Sequence, residues 1–221
     1  MISHTEENYL KAIFKLTEAE DRPASTNALA AEMATAPPSV TDMLKRLAAK
    51  ELIFYEKHRG VTLSEQGQKT ATKLVRQHRL WEVFLVEKLG FGWESVHDIA
   101  EQLEHVQGDG LTDRLDQFLG YPKFDPHGDP IPDAEGRFNR LDQLPLARLN
   151  LGQSAVVTGV NDHSPVFLKF LEKNGLQLGT ALQLLERIEF DGSARIQLED
   201  GQIALLSEKA CANLLVKVPS R

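Results

Sequence analysis

The sequence predicts a mainly α-helical protein with a small β domain at its C-terminal end. Three observations carry that reading. Two short helices and a basic-tipped hairpin lie within the first 64 residues. A row of histidines and glutamates at helical spacing follows, between His78 and His105. Beyond a Pro/Gly-rich stretch the periodicity then changes from helical to strand-like.

The first element is an amphipathic helix over Glu6–Glu20, with Tyr9, Leu10, Ile13, Phe14 and Leu16 as its apolar stripe and Thr5 as its cap. Asp21-Arg22-Pro23 ends it. Thr26–Ala34 is a short, alanine-rich helix. After Pro37, a third helix opens on Pro38-Ser39-Val40-Thr41-Asp42, with Pro38 suited to its first turn. Val40, Met43, Leu44 and Leu47 point inward. Two short helices across a tight turn, the second led by small polar residues, are a helix-turn-helix pattern. Leu52–Glu56 and Val61–Leu63 read as strands around Lys57-His58-Arg59-Gly60, which makes a wing with a basic tip.

Ser64 caps a long helix running to Leu89, and Gly90-Phe91-Gly92 breaks it. Glu94–Val106 reads as the next helix and Leu111–Leu119 as another. In that region His97, Glu101, Glu104 and His105 are related by steps of three and four. One helical face would therefore stack them, and His78 and Glu82 repeat the i, i+4 step upstream. Imidazoles and carboxylates projecting from facing helices are how bundles build metal sites. A solvated polar face is the competing reading for any one of these residues. Gly120–Pro132 reads as a linker, although it holds Asp125 and His127. Ala155–Val160, Leu182–Phe190, Arg195–Leu198 and Leu214–Val218 read as strands, with a short helix at Val166–Asn174. Together they make a small β-barrel.

Domain boundaries follow: a winged helix-turn-helix at 1–64, a helical metal-binding and dimerisation domain at 65–143 with a Pro-rich linker from 120, and a β domain at 144–221. The net charge of −7 argues against indiscriminate nucleic-acid binding, but the charge is segregated. Pro37–Leu80 carries nine basic and four acidic residues, and Trp81–Gln143 carries five basic and fourteen acidic. The first block suits phosphates and the second suits cations. The single cysteine, Cys211, excludes an intrachain disulfide and an all-thiolate zinc site. No apolar run spans a bilayer, and Met1–Glu7 has no signal-peptide character, so a cytoplasmic location and no membrane partner are expected.

Taken together, Glu7-Asn8-Tyr9-Leu10, Pro37-Pro38-Ser39-Val40-Thr41, His78-Arg79-Leu80-Trp81-Glu82, the Glu-His pair within Glu101–Val106, and Gly120-Tyr121-Pro122 with Pro126-His127-Gly128 and Ile131-Pro132 resemble the diphtheria toxin repressor family over the full length. The resemblance implies an SH3-like C-terminal domain. It also implies a homodimeric, non-enzymatic repressor of metal-uptake genes, which binds a pseudo-palindromic operator in double-stranded DNA when Mn(II) or Fe(II) is bound. It places a primary metal site on Asn8, His78, Glu101, Glu104 and His105. An ancillary site falls on Glu82 and His97, completed by Asp125 and by Asp162 or His163. Asp125 and Asp162 could equally be ordinary turn residues. Asn8 stands where Met or Asp is usual, Glu101 where iron-type members have Cys, and Lys11 where short manganese-type members have a second-metal Glu. A sulfur-free donor set favours Mn(II) over Fe(II).

At the operator, Pro38, Ser39 and Asp42 are placed near base edges, and Thr41, Lys45, Lys57 and Arg59 near phosphates. The alternatives are a winged-helix regulator sensing a non-metal ligand, for which metal-free operator binding would speak, and a two-metal hydrolase. The second has no nucleophile motif to support it. No organic substrate is expected.

Overall fold

The computed structural model describes residues 2–20, 22–56, 59–106, 108–139 and 141–219. It divides into two compact units. The first is Met1–His78, Leu103–Arg114 and Pro132–Phe138; the second is Arg79–Gln102, Leu115–Ile131 and Asn139–Arg221.

The first unit opens with α1 (His4–Glu20), which begins two residues before the sequence predicts. Its cap is Ser3 rather than Thr5. The Glu6 amide donates to Ser3 Oγ at 3.3 Å, and the Ser3 amide donates to Glu6 Oε2 at 2.8 Å. This reciprocal pair is a capping box, and it satisfies two amides that a helix start otherwise leaves open. α2 (Thr26–Glu32) is capped by Ser25, and α3 (Pro37–Ala49) starts on two prolines. The wing is β1 (Ile53–Glu56) paired antiparallel with β2 (Gly60–Leu63). Leu10, Ile13, Leu29, Val40, Leu44 and Leu47 are completely buried in one cluster. Each contributes about 1.5–3 kcal/mol of transfer free energy. α4 (Glu65–Leu89) follows, capped by Ser64 Oγ, which accepts from the Gly67 amide at 3.1 Å. Gly67 is required there, since an added Cβ would lie 1.9 Å from the Leu52 carbonyl oxygen.

In the second unit, α5 is His97–Leu103, not the longer Glu94–Val106 helix that the spacing suggests. Residues 93–95 form turns, and Glu104 and His105 lie in a turn beyond the helix end. The expected single face therefore splits, with His97 and Glu101 on α5 and Glu104 and His105 within the first unit. α6 is Leu111–Phe118. The stretch expected to be a linker is folded. Ile131 N donates to Lys123 O at 2.8 Å, Asp125 N donates to Asp129 O, and Phe124 bridges Pro130. Gly128 (φ +89°) seats this loop, because an added Cβ would lie 2.1 Å from the Thr158 carbonyl oxygen.

The C-terminal part is a six-stranded sheet made of β3 (Leu144–Pro145), β4 (Ser154–Val160), β5 (Ala181–Arg187), β6 (Ala194–Leu198), β7 (Ile203–Leu206) and β8 (Leu214–Lys217). The strand order is β3-β8-β4-β5-β6-β7, with α7 (Pro165–Lys173) and α8 (Glu208–Asn213) attached. β3, β7 and α8 are additions to the sequence reading. Leu146, Leu171, Leu176, Ile196, Leu206, Leu214 and Val216 are completely buried in its core.

Candidate metal centres and DNA-binding surface

The first candidate centre lies in the first unit, where one face of α1 meets the Glu104-His105 turn. Glu104 is 1% exposed. Its carboxylate accepts from Lys11 Nζ at 2.7 Å on both oxygens, and His78 Nδ1 lies 2.5 Å from Oε2. His105 sits between two carboxylates, with Nδ1 2.7 Å from Glu7 Oε2 and Nε2 3.8 Å from Glu104 Oε1. Asn8 follows Glu7 on α1 and precedes Lys11 by one helical turn, so the three share that face. Its Oδ1 is buried with no hydrogen-bond partner among the described residues. A buried carbonyl oxygen without a donor costs about 1–3 kcal/mol unless something satisfies it. A cation is a fitting partner, and the neighbouring imidazole and carboxylate donors suit one. Of the five residues expected in the primary site, Asn8, His78, Glu104 and His105 fall in this unit. Glu101 falls in the other, where His97 Nε2 is 3.7 Å from its Oε1.

The second centre is within the second unit. Glu82 is 2% exposed and faces two imidazoles: His97 Nδ1 at 3.3 Å from Oε1, and His127 Nδ1 at 3.4 Å from Oε2. Ligand atoms of Glu82, Asp125 and His127 all lie within 4.8 Å of one another, and all three residues are buried. His127 Nε2 is 2.8 Å from the Trp93 carbonyl oxygen, which accepts only, so this nitrogen carries a proton and Nδ1 is the one turned to Glu82. Burial pulls His127 down, but hydrogen bonding and charge from Glu82 outweigh it and lift the imidazole to about 9. Burial first, then Asp129 and Glu82, push Asp125 up to about 7, against the pull of Arg79 and His127. The cluster thus holds protons at neutral pH that a divalent ion would displace.

Asp125 also organises its loop. Its Oδ1 accepts from the amides of His127 and Asp129, and Arg79 Nε lies 3.6 Å from Oδ2. His163 stacks on His127 with ring centroids 4.9 Å apart. Asp162 Oδ1 instead accepts from the Ser164 amide at 2.9 Å, at the start of α7. Sequence reasoning took Asp125 from this stretch into the site and left His127 out. The signal was present, since it lies two residues after Asp125. Lys11, Glu7 and His4 were missed as neighbours because their partners are about ninety to a hundred residues away along the chain.

On α3, Pro38, Ser39, Asp42 and Lys45 are exposed, and Thr41 is half-buried with Oγ1 donating to the Pro37 carbonyl. Asp42 pairs with Lys45 at 3.2 Å, which draws its charge along the helix towards a cation. Arg59 is exposed beside β2 and pairs with Glu56 at 2.9 Å. Lys57 lies outside the described residues. A helix with an exposed polar start, followed by a two-stranded wing, defines a winged-helix DNA-binding regulator. The buried His/carboxylate clusters add the metal-responsive class to that description.

Comparison with known proteins agrees along the chain. The family model described as "Iron dependent repressor, N-terminal DNA binding domain" matches residues 1–61. "Iron dependent repressor, metal binding and dimerisation domain" matches residues 64–133, and "FeoA domain" matches 144–218. The diphtheria toxin repressor of Corynebacterium jeikeium is 38% identical over 177 residues, covering 77% of this chain and 73% of that protein. The iron-dependent repressor IdeR of Mycobacterium tuberculosis is 29% identical, covering 90% of this chain and 80% of its own. Among solved structures, a manganese-dependent transcriptional repressor in complex with manganese superposes with a TM-score of 0.88 at 34% identity. It covers 97% of this chain and 100% of that chain. ScaR with bound Zn2+ superposes at 0.77 and 34% identity, covering 97% and 99%. The chain belongs to the iron-dependent (diphtheria toxin) repressor family of metal-dependent transcriptional repressors.

Proposed function

We propose that this protein is a homodimeric, non-enzymatic repressor, activated by Mn(II) with Fe(II) as the alternative ion. It binds a pseudo-palindromic operator in genes of metal uptake, in the cytoplasm. Asn8, His78, Glu104 and His105 would hold the first ion, and Glu82, His97, Asp125, His127 and His163 supply the donors of the second centre. The observation that carries the reading is the buried Asn8 Oδ1, without a hydrogen-bond partner among the described residues, on the helix face that meets Glu104. The absence of sulfur from both donor sets favours manganese. When bound, the ion supplies the positive charge that joins neutral Asn8 to the carboxylate and imidazoles.

This chain's own residues connect that junction to the DNA-reading element. Glu6 lies between the ligand-bearing residues of α1 and the end of α3. Lys50, the C-cap of α3, places Nζ 2.7 Å from Glu6 Oε1. Fixing the first turns of α1 therefore fixes the C-terminal end of the recognition helix. Lys45 and Arg59 then meet phosphates while Pro38 and Ser39 approach base edges. Leu89, Phe91, Phe118 and Tyr121 are large and exposed in the second unit and offer apolar surface for a second copy. A dimer matches the two-fold symmetry of a palindrome.

The test is operator binding by fluorescence anisotropy at fixed salt, in chelator, in Mn(II) and in Fe(II) without oxygen. Metal should tighten binding roughly a hundredfold, within the usual range of coupling energies. Glu104→Ala and His105→Ala should abolish the gain. Equal binding in chelator and metal would refute the mechanism and favour a regulator of a non-metal ligand.

A further inference from the structure

We infer a separate site for a nitrogen-seeking transition metal ion, such as Zn(II), formed by His4, Glu7 and His105 at the first turn of α1. Ligand atoms of these three residues all lie within 4.8 Å of one another. His105 Nδ1 is 2.7 Å from Glu7 Oε2, and the His4 ring lies face to face with the His105 ring, centroids 4.4 Å apart and planes 5° from parallel. His4 and Glu7 are one helical turn apart, so α1 presents both towards His105. Zinc bonds of about 2.0–2.2 Å require a modest contraction of these donors. Glu7 and His105 are already in contact. His4 is exposed and only has to turn its ring edge-on, leaving a side open to water.

The donor set, two imidazoles and one carboxylate, is that of the first centre without the Asn8 carbonyl, and His105 is common to both. Like any site of nitrogen and oxygen donors, it binds Ni(II), Cu(II) and Zn(II) more tightly than Mn(II). A neutral imidazole has one lone pair. When His105 binds an ion through Nδ1, its Nε2 carries the proton and faces Glu104, so His105 is withdrawn from the first centre. The site therefore sets nitrogen-seeking ions against the activating ion through a shared residue. This consequence rests on the assignment of His105 to the first centre; the existence of the site does not.

The experiment counts Zn(II) bound per chain in the full-length dimer by competition with a chromophoric chelator, for the native protein, His4→Ala and Glu7→Gln. His4→Gln and circular dichroism check that the fold is kept. One fewer tight Zn(II) per chain in both His4→Ala and Glu7→Gln is expected, with Mn(II)-driven operator binding of His4→Ala within twofold of the native protein. An unchanged count overturns the site whatever the fate of the first centre. In the second arm, one equivalent of Zn(II) should weaken Mn(II)-driven operator binding of the native protein at least tenfold more than that of His4→Ala. Equal loss in both proteins overturns the competition.

Discussion

Replacing Lys11 with methionine should destabilise the metal-free protein and tighten its grip on Mn(II). Glu104 has no exposed side-chain surface, and Lys11 Nζ meets both of its oxygens at 2.7 Å. Breaking a buried ion pair by removing one partner costs about 3–5 kcal/mol. Here Lys11 keeps 17% exposure and His78 still contacts Glu104, so the smaller figure of about 2–3 kcal/mol applies. At roughly 2–4 °C per kcal/mol for a chain of this size, the melting temperature without metal should fall by about 5–10 °C. In the native protein the ammonium must leave Glu104 before a metal ion can take the same oxygens. The variant has no such competitor, and 2–3 kcal/mol corresponds to roughly 30–150-fold tighter Mn(II) binding. Differential scanning fluorimetry with chelator and with saturating Mn(II), together with Mn(II) titration calorimetry, measures both sides. Lys11→Arg, which retains the charge, should leave both near native. A variant that loses stability without metal but binds Mn(II) no more tightly, or more weakly, would refute Glu104 as a shared ligand of lysine and metal.

Two other perturbations test the supports of the centres. Glu6→Ala removes the capping box and the Lys50 contact, which the hydrogen bond from Lys50 makes visible as a Glu6 carboxyl held below its ordinary value of 4.5. Because the folded value is depressed, this contribution is complete above 4.5 and disappears as pH falls through the folded value. Urea unfolding of the two proteins should therefore differ by about 1–2 kcal/mol at pH 7 and converge in acid; a gap that widens in acid contradicts the assignment. Gly128→Ala puts a Cβ 2.1 Å from Thr158 O at φ +89°, and should cost about 2–5 kcal/mol from overpacking and left-handed strain. It should also loosen His127, read as faster amide hydrogen exchange at Val160, whose amide donates to His127 O in the native fold; unchanged protection there would show that the loop does not depend on this glycine.

The amino-acid sequence by itself determined the winged helix, the residue types of the candidate metal centres and the family. Local patterns carry these: the stripe of Leu10, Ile13 and Phe14, the polar start of α3, the strand pair around a basic tip, and the repeated His/Glu steps. Tertiary structure alone decided which candidate ligands lie together. Helical spacing placed His97, Glu101, Glu104 and His105 together, but α5 ends at Leu103 and the last two turn towards α1. A helix continues only while packing favours it. Here the buried contacts of Glu104 with Lys11 and His78 lie off the helical path. The same reason hid His127. Pro and Gly describe how its backbone bends, whereas its burial against Trp93 and Glu82 comes from a turn and a helix distant in the chain.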